Sequence, residues 1–195
     1  MRRFAPVVSL LAVVALLTGC ATGAEDDTAT EGVDLVELVR VLPTPAGFDQ
    51  SNDARSADAA EVQAALAGAA REEAARAFES RGFEDGAIRT WSGPGGATFT
   101  AVVSRWPDRL TATAIGGGAV NLPLDQDVRG ATPWNPDELR GGRGVRIDAP
   151  KASARMLAVA VGDVSLFVRA DGPVNDAQVL RTVQLLRRQL DRGQT

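Results

Sequence analysis

The sequence predicts an α+β fold, in which a single antiparallel sheet of about five strands carries two long helices packed on one face. Segments 57–81 and 175–192 repeat apolar residues at helical spacing. Segments 87–106 and 154–169 each contain two extended stretches separated by a tight turn. No long crossover helix separates these strands, as a parallel sheet would require. We therefore expect one α+β domain over residues 33–195.

The helices are predicted from the spacing of apolar residues and from their ends. Charged side chains fill most of the remaining positions of segment 57–81, and Gly82 follows as a C-terminal stop. The last helix begins after Asn175, whose side chain can cap it, and continues to about Arg192. The segment before Pro43 fits a short helix better than a strand, because proline ends a helix.

Five strands are predicted, at residues 87–91, 97–106, 145–147, 154–161 and 164–169. The segment from Gly93 to Gly96 joins the first two strands as a turn, and Gly162-Asp163 joins the last two as a two-residue hairpin turn.

The middle of the chain has the weakest periodicity. Pro107 and Asp108 can open a short helix, which is predicted to end near Ala114 because three glycines follow it. Residues 121–144 are rich in Gly and Pro and poor in apolar side chains, so they are predicted to be mostly loop.

The N-terminus has the composition of a secretion signal. Two arginines precede an apolar run from Phe4 to Leu17, which makes about 21 Å of helix at 1.5 Å per residue. This length is short of the roughly 30 Å of a bilayer core, so the run is predicted to be a signal peptide and not a permanent span. The run ends in Leu17, Thr18, Gly19 and Cys20.

These four residues resemble the lipobox of bacterial lipoprotein precursors, in which an aliphatic residue and two small residues precede an obligatory cysteine. The resemblance implies that residues 1–19 are removed as a lipoprotein signal peptide. It also implies that the Cys20 sulfur receives a diacylglyceryl group and that the new N-terminus is open to acylation. Two or three acyl chains anchor a protein stably, so the resemblance implies a membrane location on the extracytoplasmic face.

The segment after the lipobox is predicted to be a tether. Residues 20–32 comprise Cys20 and a stretch with four acidic side chains and no large apolar one, which cannot build a core. A flexible chain of this length spans roughly 20 Å. The chain has 20 arginines and one lysine, a bias that resembles proteins of high-GC Gram-positive bacteria.

Composition excludes much familiar chemistry. The chain has no His and a single Cys, which rules out His-based catalytic triads, His/Cys zinc sites and intrachain disulfides. The formal net charge of −4 argues against nucleic acid as a partner. The glycine clusters 93–96 and 116–118 lack the continuation of a P-loop, and no Ser-x-x-Lys motif occurs. No cofactor is predicted.

Arg140, Arg143 and Arg146 form the most informative cluster, because they are interleaved with glycines in a predicted loop. Guanidinium groups bind phosphate and carboxylate in a bidentate manner, so this loop is a candidate site for an anion or a partner. The alternative is a solvated loop with local salt bridges. Nearby Trp134, between two prolines, either pins the loop or contacts a partner.

Asp125 and Asp127 are candidate ligands of a divalent cation, because hard cations prefer clustered carboxylates. The surrounding sequence lacks the remaining ligands of a calcium loop, so solvated carboxylates are the preferred interpretation.

The sequence favours a non-catalytic, lipid-anchored protein of the cell envelope that binds another protein, a lipid or a cell-wall component. One alternative is an envelope hydrolase that works through carboxylates, with Asp125, Asp127, Asp137 or Glu138 as the candidates. The other is a small ligand-binding or sensor domain.

Overall fold

The computed structural model describes residues 30, 32–49, 53–68, 72–150 and 152–193. Its helices are α1 (Leu35–Arg40), α2 (Ala59–Ala67), α3 (Glu72–Ser80), α4 (Arg109–Asp125) and α5 (Asp176–Gly193). Its strands are β1 (Arg55–Ser56), β2 (Asp85–Ser92), β3 (Thr98–Arg105), β4 (Ala131–Trp134), β5 (Arg143–Ala149), β6 (Ala152–Val161) and β7 (Val164–Asp171). The predicted signal peptide, Cys20 and most of the tether lie outside the described residues. None of the described helices is long and apolar enough to span a bilayer.

The strands form one antiparallel sheet in the order β1-β2-β3-β7-β6-β5-β4. The α+β class and the single antiparallel sheet are therefore confirmed. The prediction of about five strands and two long helices is wrong, because the described part of the chain has seven strands and five helices. The predicted hairpins are both present, with Val161 paired to Val164 across the turn at Gly162.

Helices cover both faces of the sheet, which corrects the prediction that they pack on one face. On one face, α1 and α5 pack on strand residues that include Phe99, Val103, Leu166 and Val168. On the other, α2 and α4 pack on Ile88, Val102, Met156 and Phe167. The central strands carry apolar side chains on both faces, as at residues 101–103 and 166–168. Such continuous apolar runs are typical of a sheet that is covered on both sides.

Helix α4 continues well beyond the predicted end at Ala114 and passes through Gly116, Gly117 and Gly118. A Cβ atom on Gly116 would lie 3.0 Å from the Ser165 hydroxyl oxygen and 3.1 Å from the Ala158 Cβ. Glycine therefore lets this helix approach the sheet closely. The packing outweighs the roughly 1 kcal/mol by which each glycine disfavours a helix.

Two further predictions of secondary structure are corrected. The helix predicted over 57–81 is two helices, because Gly68 ends α2 with a left-handed backbone at φ +77°. The segment predicted as loop over 121–144 contains the end of α4 and the strand β4. This strand is at the edge of the sheet, where a proline such as Pro133 is tolerated.

Candidate functional site

A polar pocket of about 340 Å³ lies where β4 ends and β5 begins. We call it the Arg143 pocket. Its lining consists of Asn121, Pro133, Asn135, Gly141, Gly142, Arg143 and Gly144. Asn121 comes from the C-terminal half of α4, and the other residues come from β4, β5 and their connection. The pocket thus joins a helix to the edge of the sheet.

The glycines of this connection are required by close packing. A Cβ on Gly144 would lie 2.6 Å from the Met156 carbonyl oxygen, and a Cβ on Gly142 would lie 2.8 Å from a Leu139 methyl carbon. Gly141 has a left-handed backbone at φ +77°. The connection therefore folds tightly over Leu139, which is buried in the core, and so positions Arg143 at the start of β5.

Arg143 is the chemically distinctive residue of the pocket. Its side chain is exposed, and within the described ranges no hydrogen bond or salt bridge engages its guanidinium group. Its Nη1 lies over the glycine surface of α4, 3.9 Å from where a Cβ on Gly117 would be. Asn121 and Asn135 are also exposed and line the same pocket. A guanidinium and two amides offer an anion several N–H donors.

Arg146 lies on the opposite face of β5 and does not line this pocket. Its Nη2 is 2.7 Å from Oδ2 of Asp176, and its guanidinium covers the Trp134 ring, 5.1 Å from the ring centroid. Asp176 also accepts a hydrogen bond of 2.8 Å from Arg155 Nε. Side chains alternate across a strand, so two arginines three positions apart point to opposite faces. Arg146 is therefore part of a structural network at the start of α5.

Arg140 lies in the turn before β5, where its carbonyl oxygen accepts a hydrogen bond of 3.2 Å from Arg187 Nη1. The structure therefore places only Arg143 of the three predicted arginines in the pocket. Asn121 and Asn135 were missed as candidates. Asn121 falls in the stretch predicted as loop, and only the sheet register brings Asn135 beside the start of β5.

Trp134 is 7% exposed and belongs to the core on the α1/α5 side of the sheet. The tryptophan therefore pins the end of β4, and Arg146 shields its ring. This burial favours the pinning role, and the contact with a partner that the sequence left open stays a prediction.

The candidate cation ligands do not form a cluster with other ligands. Asp125 ends α4, and Asp127 follows with a left-handed backbone at φ 49°; both side chains are exposed. Among the described residues, no group of three or more His, Cys, Asp or Glu side chains could hold a metal ion.

Two carboxyl groups with shifted pKa values lie away from the Arg143 pocket. Burial raises the pKa of Asp85, and the nearby Arg105 guanidinium opposes this shift. The backbone N–H of Thr111 lowers the pKa of Asp108, which caps α4. Asp85 begins β2 and Asp108 directly precedes α4, so neither carboxyl group belongs to the pocket.

Comparisons with known proteins give no family for this chain. No family model and no curated protein matches it. Similar solved structures include the extracellular domain of PknH from Mycobacterium tuberculosis, with 11% identity and a TM-score of 0.44 over 73% of this chain and 84% of that chain. Another is a protein from Mycobacterium smegmatis described as an Rv0999 ortholog, with 13% identity and a TM-score of 0.37 over 86% of this chain and 100% of that chain. Resemblance at this level assigns neither a family nor a function.

Proposed function

We propose that this protein is a lipid-anchored, extracytoplasmic binding protein that holds an anionic group of an envelope component in the Arg143 pocket. The observation that carries the proposal is the exposed Arg143 guanidinium, which has no partner among the described residues and shares a pocket with two amides. An arginine in this setting forms charge-assisted, bidentate hydrogen bonds to phosphate or carboxylate. Asn121 and Asn135 are positioned to donate hydrogen bonds to further oxygens of the same ligand.

The lining of the pocket favours binding over catalysis. The seven lining residues are Asn, Pro, Gly and Arg, so they supply no carboxylate, thiol or hydroxyl group. A guanidinium group donates hydrogen bonds and has no acceptor, so it does not supply a general base. The pocket therefore has the chemistry to hold an anion and lacks that of a nucleophilic or acid–base site.

The extracytoplasmic location is supported by the N-terminal sequence. Leu17, Thr18 and Gly19 precede Cys20 in the order of a lipobox, and the apolar run before them is too short to span a bilayer. A diacylglyceryl group on Cys20 would keep the domain at the membrane without a transmembrane helix.

Anion binding is tested on the purified protein with inorganic phosphate and with acetate as probes. Because hydrogen bonds to a charged group contribute about 1.5–3 kcal/mol, Arg143→Gln is expected to weaken phosphate binding by about tenfold or more. Arg140→Gln is the matched control, since it removes the same charge three residues away. Isothermal titration calorimetry measures the affinity. Equal affinity in wild type and Arg143→Gln, or an equal loss in both variants, contradicts the proposal.

Lipidation is tested separately by growing cells with a labelled fatty acid. Label is expected on the wild-type protein and absent from Cys20→Ala, because the thiol is the site of the thioether. A Cys20→Ala protein that still carries label would show that the anchor is elsewhere.

A further inference from the structure

The first described residue of the chain is fastened to one end of the sheet. The backbone N–H of Thr30 donates a hydrogen bond of 3.0 Å to Oδ1 of Asp163, and the Thr30 hydroxyl donates to the same oxygen. Thr30 is fully buried. Three residues later, the Val33 carbonyl oxygen accepts a hydrogen bond of 2.9 Å from Arg105 Nη2. These contacts hold Thr30, ten residues after Cys20 in the sequence, at this end of the sheet.

Asp163 and Arg105 define one end of the sheet, which we call the latch end. Asp163 lies in the turn between β6 and β7, and Arg105 is the last residue of β3. The backbone N–H of Trp106, next to Arg105, donates a hydrogen bond of 3.0 Å to the Asp163 carbonyl oxygen. Helix α4 starts three residues after Trp106, so its first turn also lies at the latch end.

Leu110, in this first turn, is 80% exposed. It is the most exposed large apolar side chain of the described residues; the others, Val41 and Val128, are 51% and 37% exposed. The charged residues at the latch end carry both signs: Arg81, Glu84, Asp85, Arg105, Asp108, Arg109 and Asp163. An exposed leucine in mixed-charge surroundings suits the interface of a bilayer better than an electrostatic contact with anionic lipid.

The Arg143 pocket lies at the same end of the sheet. Arg143 pairs with Ala158 of β6. From Ala158 the strand continues to Val161, and the turn that contains Asp163 follows. Because β4 and β5 are antiparallel, the connection between them that lines the pocket lies at the end of the sheet toward which β6 runs.

The distance between anchor and domain is short. The chain from Cys20 to Thr30 spans at most about 35 Å when fully extended and roughly 17 Å as a flexible coil. A folded domain held this closely has one end nearer to the bilayer than the other. Because Thr30 is bonded to Asp163, the nearer end is the latch end.

The geometry points to a membrane-facing surface: the latch end, with Leu110 and the Arg143 pocket, rests against the bilayer, and Leu110 enters the interface. This inference rests on the proposed anchor at Cys20. It assigns the ligand of the Arg143 pocket to the headgroup layer, in which phosphate is the abundant anion. The opposite end of the sheet, where α5 begins, faces away from the membrane.

The test compares tryptophans placed at equivalent helix positions at the two ends. Leu110 and Ala177 are each the second residue of a helix, α4 and α5, and both are exposed. Leu110→Trp and Ala177→Trp are prepared in the full mature chain, whose own tryptophans are buried and give a constant background. Each protein is attached through Cys20 to a maleimide phospholipid in phosphatidylcholine vesicles that contain lipids with brominated acyl chains.

Bromine quenches tryptophan only at short range, so fluorescence reports which end touches the bilayer. Quenching at position 110 is expected to exceed quenching at position 177 several-fold after the wild-type signal is subtracted. Equal quenching, or stronger quenching at position 177, would overturn the orientation. Chemical attachment at Cys20 makes this result independent of lipidation in the cell, so a failure of the fatty-acid labelling would refute the anchor alone.

Discussion

The guanidinium of Arg146 lies over the indole ring of Trp134, 5.1 Å from its centroid, while its Nη2 contacts Asp176 at 2.7 Å. The same carboxylate holds Arg155, whose side chain is only 14% exposed. Asp176 is also the first residue of α5, where a negative charge interacts favourably with the helix dipole. One carboxylate therefore connects the strands β5 and β6 to the last helix.

We expect Asp176→Asn to lower the free energy of unfolding by about 1–2 kcal/mol. Arg146 loses its contact with Asp176, and the largely buried Arg155 loses one of two carboxylate partners, since Asp148 still lies 2.8 Å from its Nη2. Asp191→Asn, an exposed position in the last turn of the same helix, is the matched control and should change stability little. Urea unfolding measures both variants, and an equal effect would show that the network contributes nothing.

The hydrogen bonds from Thr30 to the Asp163 carboxylate give a second prediction. Asp163→Ala leaves the buried Thr30 N–H without an acceptor, which costs about 1–3 kcal/mol. Asp163→Asn keeps an acceptor oxygen at the same place and should retain most of the stability. Chemical denaturation and proteolysis near residues 30–33 report the difference. If Asp163→Ala matches the wild type in both measurements, the hydrogen bonds between Thr30 and Asp163 contribute nothing to stability.

The close approach of α4 to the sheet predicts different effects for two nearby glycines. Gly116→Val is expected to destabilise the protein by about 1–3 kcal/mol, because Ser165 and Ala158 leave no room for the side chain. Gly118→Val is expected to be nearly neutral or slightly stabilising, since nothing lies within 4 Å of a Cβ there. Thermal unfolding of the two variants distinguishes packing from helix propensity, which would affect both positions alike.

The shifted pKa of Asp85 predicts a pH dependence of stability. A carboxyl whose folded pKa is raised above its unfolded value binds more protons in the folded state between the two values. Its contribution to stability therefore falls as pH rises through that range. Asp85→Asn removes this contribution. The free energy of unfolding of the variant, relative to that of the wild type, should therefore be higher at pH 7 than at pH 3.5.

Asp108 should behave in the opposite way, because its pKa is lowered by the N–H of Thr111. Its carboxylate stabilises the fold above the unfolded pKa, and this stabilisation is lost as pH falls through the folded pKa. The free energy of unfolding of Asp108→Asn, relative to that of the wild type, is thus expected to be lower at pH 7 than at pH 3.5. Urea unfolding of both variants at the two pH values checks the signs. Parallel pH profiles for Asp85→Asn and Asp108→Asn would contradict at least one of the two assignments.

Much of the secondary structure could be predicted because its signals are local. The last helix begins at its expected cap, where the Gln178 backbone N–H donates a hydrogen bond of 3.0 Å to the Asn175 side chain. The two main hairpins follow from their turns and from β-forming residues on either side. Helix α4 is longer than predicted, and its Gly116 packs closely on Ser165 and Ala158, residues over 40 positions away that local sequence does not bring into view.

The Arg143 pocket illustrates the same division. Local sequence identified the arginine-rich connection as a candidate anion site, because the residue types alone carry that chemistry. It could not separate Arg143 from Arg146, since the distinction depends on which face of β5 each side chain occupies and on what covers that face. Asn121 joins the pocket only because α4 packs across the sheet toward β4.

Neighbouring residues alone are enough to predict the α+β class, the main hairpins, the last helix and a lipid anchor. Tertiary structure decided that helices cover both faces of the sheet, that Arg143 alone of the three arginines lines the pocket, and that Thr30 is fastened to Asp163. These features depend on contacts between distant residues, whose free energies outweigh local preferences only after the sheet has formed and its two faces have been covered.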